Sequence, residues 1–409
     1  MKTITPFSGI RVVVLVLLCA ASTYLIACKD DVNVGPPVIT KITRTEPLSI
    51  AKDSTFQASY ANRIIVIHGE RLDGLTDVYI NGMKAYFNAN YTTSTNIIVT
   101  IPANVPTAAT DPTVPNNIRI VTTHGEATFD FRVLVPAPVV SAVSNEFAAP
   151  GSTIQLSGSN LYVIQKVIFP GNVEGTNVKS ASDGTLITVN VPTNLTTGGK
   201  MIVVNEFGAD TVSFRDPAGI ICDFDTKNTY SWGATAIASD ATLYPGSQGK
   251  YATMEFGNIA AGNWNNWESG RSINLNASQL IPASELAKPV KDYSMKFEIY
   301  VKKPWTAGTL MVNPRAAWTY VALYRPWMVN ATTTKEFTTP GWVTVTIPLN
   351  RFLTKKDGKD GTGDPAPNLG ALLSATGNGT MQFMFNNDSG VAQPGFATAI
   401  DNIRIVRNW

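Results

Sequence analysis

The side chains best suited to holding a ligand in this sequence are aromatic, and they are unevenly placed. All eight tryptophans lie between Trp232 and Trp409. The segment Trp318-Thr319-Tyr320-Val321-Ala322-Leu323-Tyr324-Arg325 reads as a strand with Trp318, Tyr320, Ala322 and Tyr324 on one face. Alternate strand residues lie about 7 Å apart, so these rings form a flat stripe while Val321 and Leu323 serve the core. Such a stripe suits the apolar C–H face of a sugar ring, and Asn313, Arg315, Arg325 and Asn330 stand close in sequence to bond its hydroxyls. The competing assignment packs the aromatic face against a second sheet. Half-polar tyrosines favour the ligand. Trp305 follows Lys302-Lys303-Pro304 and Trp327 follows Pro326, both at strand ends, where an exposed and functional role is expected. Gly262-Asn263-Trp264-Asn265-Asn266-Trp267-Glu268 surrounds two tryptophans with amides. It suits a sugar site or a structural corner equally. Trp342 opens an alternating strand and is assigned to the core, with Trp232 and Trp409 provisionally beside it.

Other chemistry is poorly provided for. Glycoside hydrolysis needs two carboxylates across the scissile bond, and Glu255, Glu268, Glu298, Asp364 and Asp388 form no recognisable pair in sequence. The only histidines, His68 and His124, lie outside the tryptophan-rich half, which excludes a His-based triad or zinc site there. The run from Lys355 to Asp364 is rich in Asp and Gly but lacks EF-hand spacing and reads as a mobile loop. No cofactor is expected, and a structural calcium on Asp223, Asp225 or Asp401 is the one metal worth testing.

Charge and cysteine usage bound the partners. The formal net charge of +2 is spread without a basic run, which excludes a phosphate-backbone partner such as nucleic acid. Lys2 and Arg11 precede an apolar run over residues 12–27 that is short for a membrane span. It ends in Leu25-Ile26-Ala27-Cys28, which resembles the lipobox of bacterial lipoproteins, and Lys29-Asp30-Asp31 resembles the export signal of Bacteroidetes surface lipoproteins. The resemblance implies a signal peptide over residues 1–27, lipidation of Cys28, a tether over 28–36 and a membrane contact made by lipid. Of the three cysteines this leaves Cys222 alone in the mature chain, so no internal disulfide forms.

Strand signals dominate after residue 38, in runs such as Ile64-Ile65-Val66-Ile67 and Met201-Ile202-Val203-Val204. The chain is all-β. Two segments repeat one another: Pro37-Val38-Ile39 corresponds to Pro138-Val139-Val140, His68-Gly69 with Leu72 to Ser157-Gly158 with Leu161, and Gly125 with Phe131 to Gly208 with Phe214. This order of motifs resembles the IPT/TIG family of immunoglobulin-like domains, implying two β-sandwiches over residues 37–136 and 137–217. The family serves as spacer or interaction module, so it implies fold more than function.

Residues 218–409 differ. Met295, Phe297, Ile299 and Val301 alternate with Lys296, Glu298, Tyr300 and Lys302, and Trp342 to Leu349 alternates likewise, as in a larger jelly-roll sandwich of two antiparallel sheets. Together with Asp223-Phe224-Asp225, Tyr324-Arg325-Pro326-Trp327 and Ile400-Asp401-Asn402-Ile403, these runs resemble the C-terminal domain of Bacteroidetes surface glycan-binding proteins of the xyloglucan-binding SGBP-B type. The resemblance implies a lipid-anchored outer-membrane protein facing the cell exterior. It would bind polysaccharide, xyloglucan or a related plant β-glucan, without cleaving it, and deliver it to a SusC/SusD-type importer. A protein-binding adhesin or importer-assembly partner is the alternative, and a glycoside hydrolase a more distant one. Trp305, Arg315, Trp318, Tyr320, Tyr324, Trp327, Trp264 and Trp267 are the expected ligand-binding residues.

Overall fold

The computed structural model describes residues 35–45, 55–265, 267–268, 270–277, 280–314, 318–374 and 379–408. The signal and lipidation sequences, including Cys28, and the residues Arg315 and Trp409 lie outside them. The chain divides into two compact units, one ending at Val135 and one beginning at Pro136. The architecture is all-β, and no helix among the described residues is long and apolar enough to cross a membrane.

The first unit is a sandwich. Strands Val38–Arg44, Ile64–Glu70 and Asn96–Thr100 form one sheet, and Met83–Ala85, Leu75–Ile80, Asn117–Thr122 and Gly125–Asp130 the other. Alternation drives it: Ile65, Ile67, Ile97 and Val99 point inward onto Val78, Ile80, Ile118 and Ile120. The second sandwich repeats the plan. Val139–Val143, Thr153–Ser159, Leu186–Asn190 and Thr176–Ser180 face Val173–Glu174, Lys166–Phe169, Gly199–Asn205 and Gly208–Phe214.

The repeated glycine of the sequence has a physical cause. In each sandwich the first strand bulges, between Ile39 and Lys41 in one and between Val140 and Ala142 in the other. The bulge drives a carbonyl against the neighbouring strand. A Cβ on Gly69 would stand 2.0 Å from the Val38 oxygen, and one on Gly158 would stand 1.9 Å from that of Val139. Only glycine fits.

The carboxyl-terminal sandwich has two antiparallel sheets around one large core. The first contains Ala236–Ala238, Tyr251–Phe256, Phe396–Arg407, Tyr293–Val301 and Val343–Pro348, with Ile220–Cys222 added to Phe396–Arg407. The second contains Tyr230–Trp232, Ser272–Ala277, Gly379–Asn386, Thr309–Asn313 and Ala322–Tyr324. Met295, Phe297, Ile299 and Val301 enter the core as their spacing predicts. The Lys355–Asp364 run forms a tight hairpin, with Lys356 and Lys359 bridged and Lys355 paired to Asp360 at 3.1 Å.

The second sandwich and the carboxyl-terminal one share a buried ionic joint. Arg404 is 1% exposed. Its guanidinium donates to both Glu298 carboxylate oxygens at 2.8 and 3.0 Å, and to Glu146, from the second sandwich, at 2.8 Å. Lys296 also binds Glu146, the Glu146 amide donates to Thr344 at 2.7 Å, and the Thr344 amide donates to Ser144 at 2.9 Å. The Arg404 guanidinium lies 4.8 Å from the Phe147 ring. Burial disfavours the Arg404 charge, but Glu298 and Glu146 outweigh it and hold the group more firmly protonated than usual. Burial pushes the Glu298 carboxyl up, and Arg404 offsets only part of that.

Two predictions follow from this core. Arg404→Ala strands two buried carboxylates, and urea unfolding of the second unit should show a loss of about 3–5 kcal/mol. Asp401, 4% exposed, has its carboxyl held well above the ordinary 3.8, chiefly by burial. The folded state thus binds this proton more tightly than the unfolded chain. The group's contribution is complete below about pH 4 and is lost as pH rises through the elevated pKa. Asp401→Asn keeps the acceptor for the Asn402 amide. Its melting temperature should exceed that of the parent at neutral pH, with the gap closing on acidification.

Candidate functional site

The carboxyl-terminal sandwich has two outer faces, and one is already covered. On the sheet containing Tyr293–Val301, outward-pointing Lys296 binds Glu146 of the second sandwich, and Glu298 is linked to the same residue through Arg404. Further along, Tyr300 packs with Tyr244, Tyr251 and Trp342 in a separate aromatic cluster. Trp342 is buried there and donates its indole N–H to the Tyr244 carbonyl at 3.3 Å, a structural role as its position in the sequence implied.

The opposite face belongs to the sheet containing Ser272–Ala277. Ile273, Leu275, Met381, Phe383, Phe385, Leu310 and Val312 point into the core, so Ser272, Asn274, Gln382, Asn386, Thr309 and Asn313 point out. Asn313, Gln382 and Asn274 are cross-strand partners in a row. The Asn313 amide donates to Gln382 at 3.2 Å, Gln382 donates to Asn274 at 2.9 Å, and Asn274 donates to the Trp232 carbonyl at 3.2 Å. Beside the row, Arg325 is held by Thr309 and Asp388.

A bulge brings a tryptophan to this face. Tyr230 pairs with inward Leu275, whereas Trp232 pairs with outward Asn274, so one irregularity sends two residues of like parity to opposite sides. Trp232 is 43% exposed, and its ring lies 6.2 Å from that of Trp267, with the planes only 13° apart. Trp267 is 63% exposed and Trp264 52%. The loop that carries them is held from beneath by Arg271, itself buried. Arg271 binds Glu268 at 2.6 Å, the Asn265 carbonyl at 2.8 Å and the Asn263 side chain at 3.3 Å. Asn263 in turn accepts the Asn265 amide at 2.8 Å, and its carbonyl accepts the Asn387 amide at 3.0 Å. The row itself is closed over, with Asn274 and Asn313 at 1% and Gln382 at 7% exposure, so it floors this side of the sandwich, while the exposed rings on the braced loop can stack a flat apolar surface.

The other expected ligand residues are placed differently. Trp305, Tyr324 and Trp327 belong to the core side of the sandwich, which corrects their expected exposure. Trp305 is fully buried, against Tyr324, Phe385 and Phe396. Both its indole N–H and that of Trp327 donate to the Gly308 carbonyl, at 3.3 and 2.7 Å. That shared acceptor satisfies the polar edge of each ring, so neither needs water. Tyr324 pairs with inward Leu310 and follows it into the core, where burial raises its phenol pKa. The continuous aromatic strand does not exist. Trp318 takes a left-handed φ of 56°, the strand begins at Ala322, and Tyr320 is half-buried against the core. Trp318 is half-buried as well.

Trp232 is what sequence reasoning missed. Nothing in Thr229-Tyr230-Ser231-Trp232 marks a bulge, and without one Tyr230 and Trp232 share a face. Four of the five acids considered for hydrolysis are engaged elsewhere: Glu298 with Arg404, Glu268 with Arg271, Asp388 with Arg325, and Glu255 with the Tyr244 hydroxyl at 2.8 Å. Asp223 accepts the Thr226 hydroxyl and the Lys227 amide, and Asp225 the Lys250 amide. No group of three or more His, Cys, Asp or Glu among the described residues is placed to hold a metal ion.

The burial pattern separates scaffold rings from exposed ones. Trp305→Ala should cost about 3–5 kcal/mol in urea unfolding, whereas Trp267→Ala should leave the melting temperature unchanged. Arg271→Ala should leave the sandwich folded while raising hydrogen exchange in residues 262–268.

Residues 214–407 match the family model described as the surface glycan-binding protein B xyloglucan binding domain. An IPT/TIG domain-containing protein of Bacteroides ovatus is 33% identical over 216 residues, which is 50% of this chain and 44% of that relative's length. The chain thus spans less than half of that relative. Among solved structures, the surface glycan-binding protein PbSGBP-B of Prevotella bryantii has a TM-score of 0.71 at 21% identity, covering 92% of this chain and 99% of its own. SGBP-B from a complex xyloglucan utilization locus in Bacteroides uniformis has a TM-score of 0.52 at 19% identity, covering 91% and 99%. At these identities the likeness is one of fold.

Proposed function

We propose that this chain binds polysaccharide non-catalytically, a reading supported by the match of residues 214–407 to the family model of the surface glycan-binding protein B xyloglucan binding domain. The proposed ligand is xyloglucan or a related plant β-glucan, lying on the tryptophan-rimmed face of the carboxyl-terminal sandwich. The observation that carries the reading is the exposure of Trp232, Trp264 and Trp267 beside the Asn313–Gln382–Asn274 row. Large rings left in water cost the fold burial worth about 1.5–3 kcal/mol each, and a stacked sugar restores it. The neighbouring ionic groups are neutralised in pairs, Arg271 with Glu268 and Arg325 with Asp388, which suits an uncharged polymer.

The same reading places the protein on the bacterial outer membrane, held by lipid on Cys28 and facing outward. The Leu25-Ile26-Ala27-Cys28 and Lys29-Asp30-Asp31 sequences support it. The two immunoglobulin-like domains would act as spacers. The captured polymer would pass to a SusC/SusD-type importer, and no cofactor takes part.

The test is affinity electrophoresis of the whole chain through gels containing xyloglucan, mixed-linkage glucan or mannan. Retardation by a β-glucan is expected, and Trp232→Ala with Trp267→Ala should weaken it at least tenfold without loss of melting temperature. Absence of retardation by every glycan sinks the reading and favours a protein-binding role. Release of reducing ends from the same polymers reveals a hydrolase.

A further inference from the structure

The exposed aromatics of this chain form a second group, far from the tryptophans in sequence. Tyr86 is 82% exposed and Tyr91 63%, more than Trp264. Neither hangs on a slack loop. Phe87, between them, bridges to Val99 and packs on the first core. Asn88 caps the short turn Ala89–Tyr91 by accepting the Asn90 amide at 3.0 Å, and its carbonyl accepts the Tyr91 amide at 3.0 Å. Since Phe87 and Val99 point inward, Tyr86 and Asn88 fall on the outward face, opposite Thr100 and Ile98. That face continues through Val66 and the exposed Ile64.

The duplicated sandwich supplies an internal control. By register, Ile64, Val66 and Ile98 of the first copy correspond to Thr153, Gln155 and Thr188 of the second. The inward residues at the alternate positions remain apolar in both: Ile65 and Ile154, Ile67 and Leu156, Val99 and Val189. The fold therefore needs the inner set and not the outer one. Where the second copy completes its sheet with Thr176–Ser180, the first has the lone Phe87 bridge and the turn that presents Tyr91. The apolar and aromatic surface is particular to the first copy.

Its local build matches the tryptophan loop. Asn88-Ala89-Asn90 and Asn263-Trp264-Asn265 each fold so that the first asparagine side chain accepts the amide two residues on, at 3.0 and 2.8 Å, with exposed rings at or beside the turn. We infer that Tyr86 and Tyr91 form a second carbohydrate-contacting surface, on the first sandwich, for an uncharged β-linked polysaccharide. The tyrosine rings take the apolar faces of pyranose units, and Ile98 extends the apolar floor. This rests on the polysaccharide reading above and adds a second point of attachment to it. Two weak contacts on one polymer raise the apparent affinity well beyond either alone.

The experiment uses the whole chain, with xyloglucan of high molar mass in the gel. Tyr86→Ala with Tyr91→Ala should reduce affinity for the polymer about tenfold, at unchanged melting temperature. The Trp232→Ala, Trp267→Ala variant should keep a residual retardation that the added tyrosine substitutions abolish. If the tyrosine variant migrates like the parent while the tryptophan variant does not, the inference is overturned, and binding of a protein to this face becomes the better account. If the parent itself is not retarded by any glycan, the polysaccharide reading fails first and takes this one with it.

Discussion

One guanidinium organises the second unit. Arg404 reaches two carboxylates from different sandwiches in a place nearly closed to solvent, and neither acid can be left there unpaired. The sheet that carries Arg404 therefore has its outer face committed to its neighbour. The aromatic cluster around Trp342 covers more of that same face. The proposed ligand surface falls on the side of the other sheet, where Trp232, Trp264 and Trp267 are exposed. The division of the sandwich into an attached side and an open side follows from where the buried ions sit.

Much of the framework was legible in the sequence because it depends on local alternation. The period of two in Met295, Phe297, Ile299 and Val301 survives folding intact, as does the duplicated Gly69 and Gly158, whose conformation is imposed by a bulge in each copy. Trp342 is buried as expected but not in the main core: alternation turns it outward, where Tyr244, Tyr251 and Tyr300 cover it. The ligand face was only half legible. Trp264 and Trp267 stood out through their amide-rich loop, and the structure exposes both.

The misplacements share one cause, which is that burial of a ring is decided by atoms distant in sequence or by breaks in alternation. Trp305 and Trp327 look exposed because they stand at strand ends, yet the Gly308 carbonyl meets both indole N–H groups from inside. Tyr324 is carried inward by its pairing with Leu310. Trp232 goes the other way, outward through a bulge that its own residue types do not announce. Composition identified which half of the chain holds the aromatic surface. Only register could say which rings compose it.

The pairing of charges around the open face has an environmental consequence. Arg271 with Glu268 and Arg325 with Asp388 pair off the charges beside the exposed indoles of Trp232, Trp264 and Trp267. Screening by dissolved ions acts on separated charges and hardly at all on stacking or on hydrogen bonds between neutral groups. On the proposed function, a surface composed this way holds its ligand alike in dilute and in briny surroundings. Fluctuating salinity, which unsettles receptors that rely on long-range attraction, leaves it untouched.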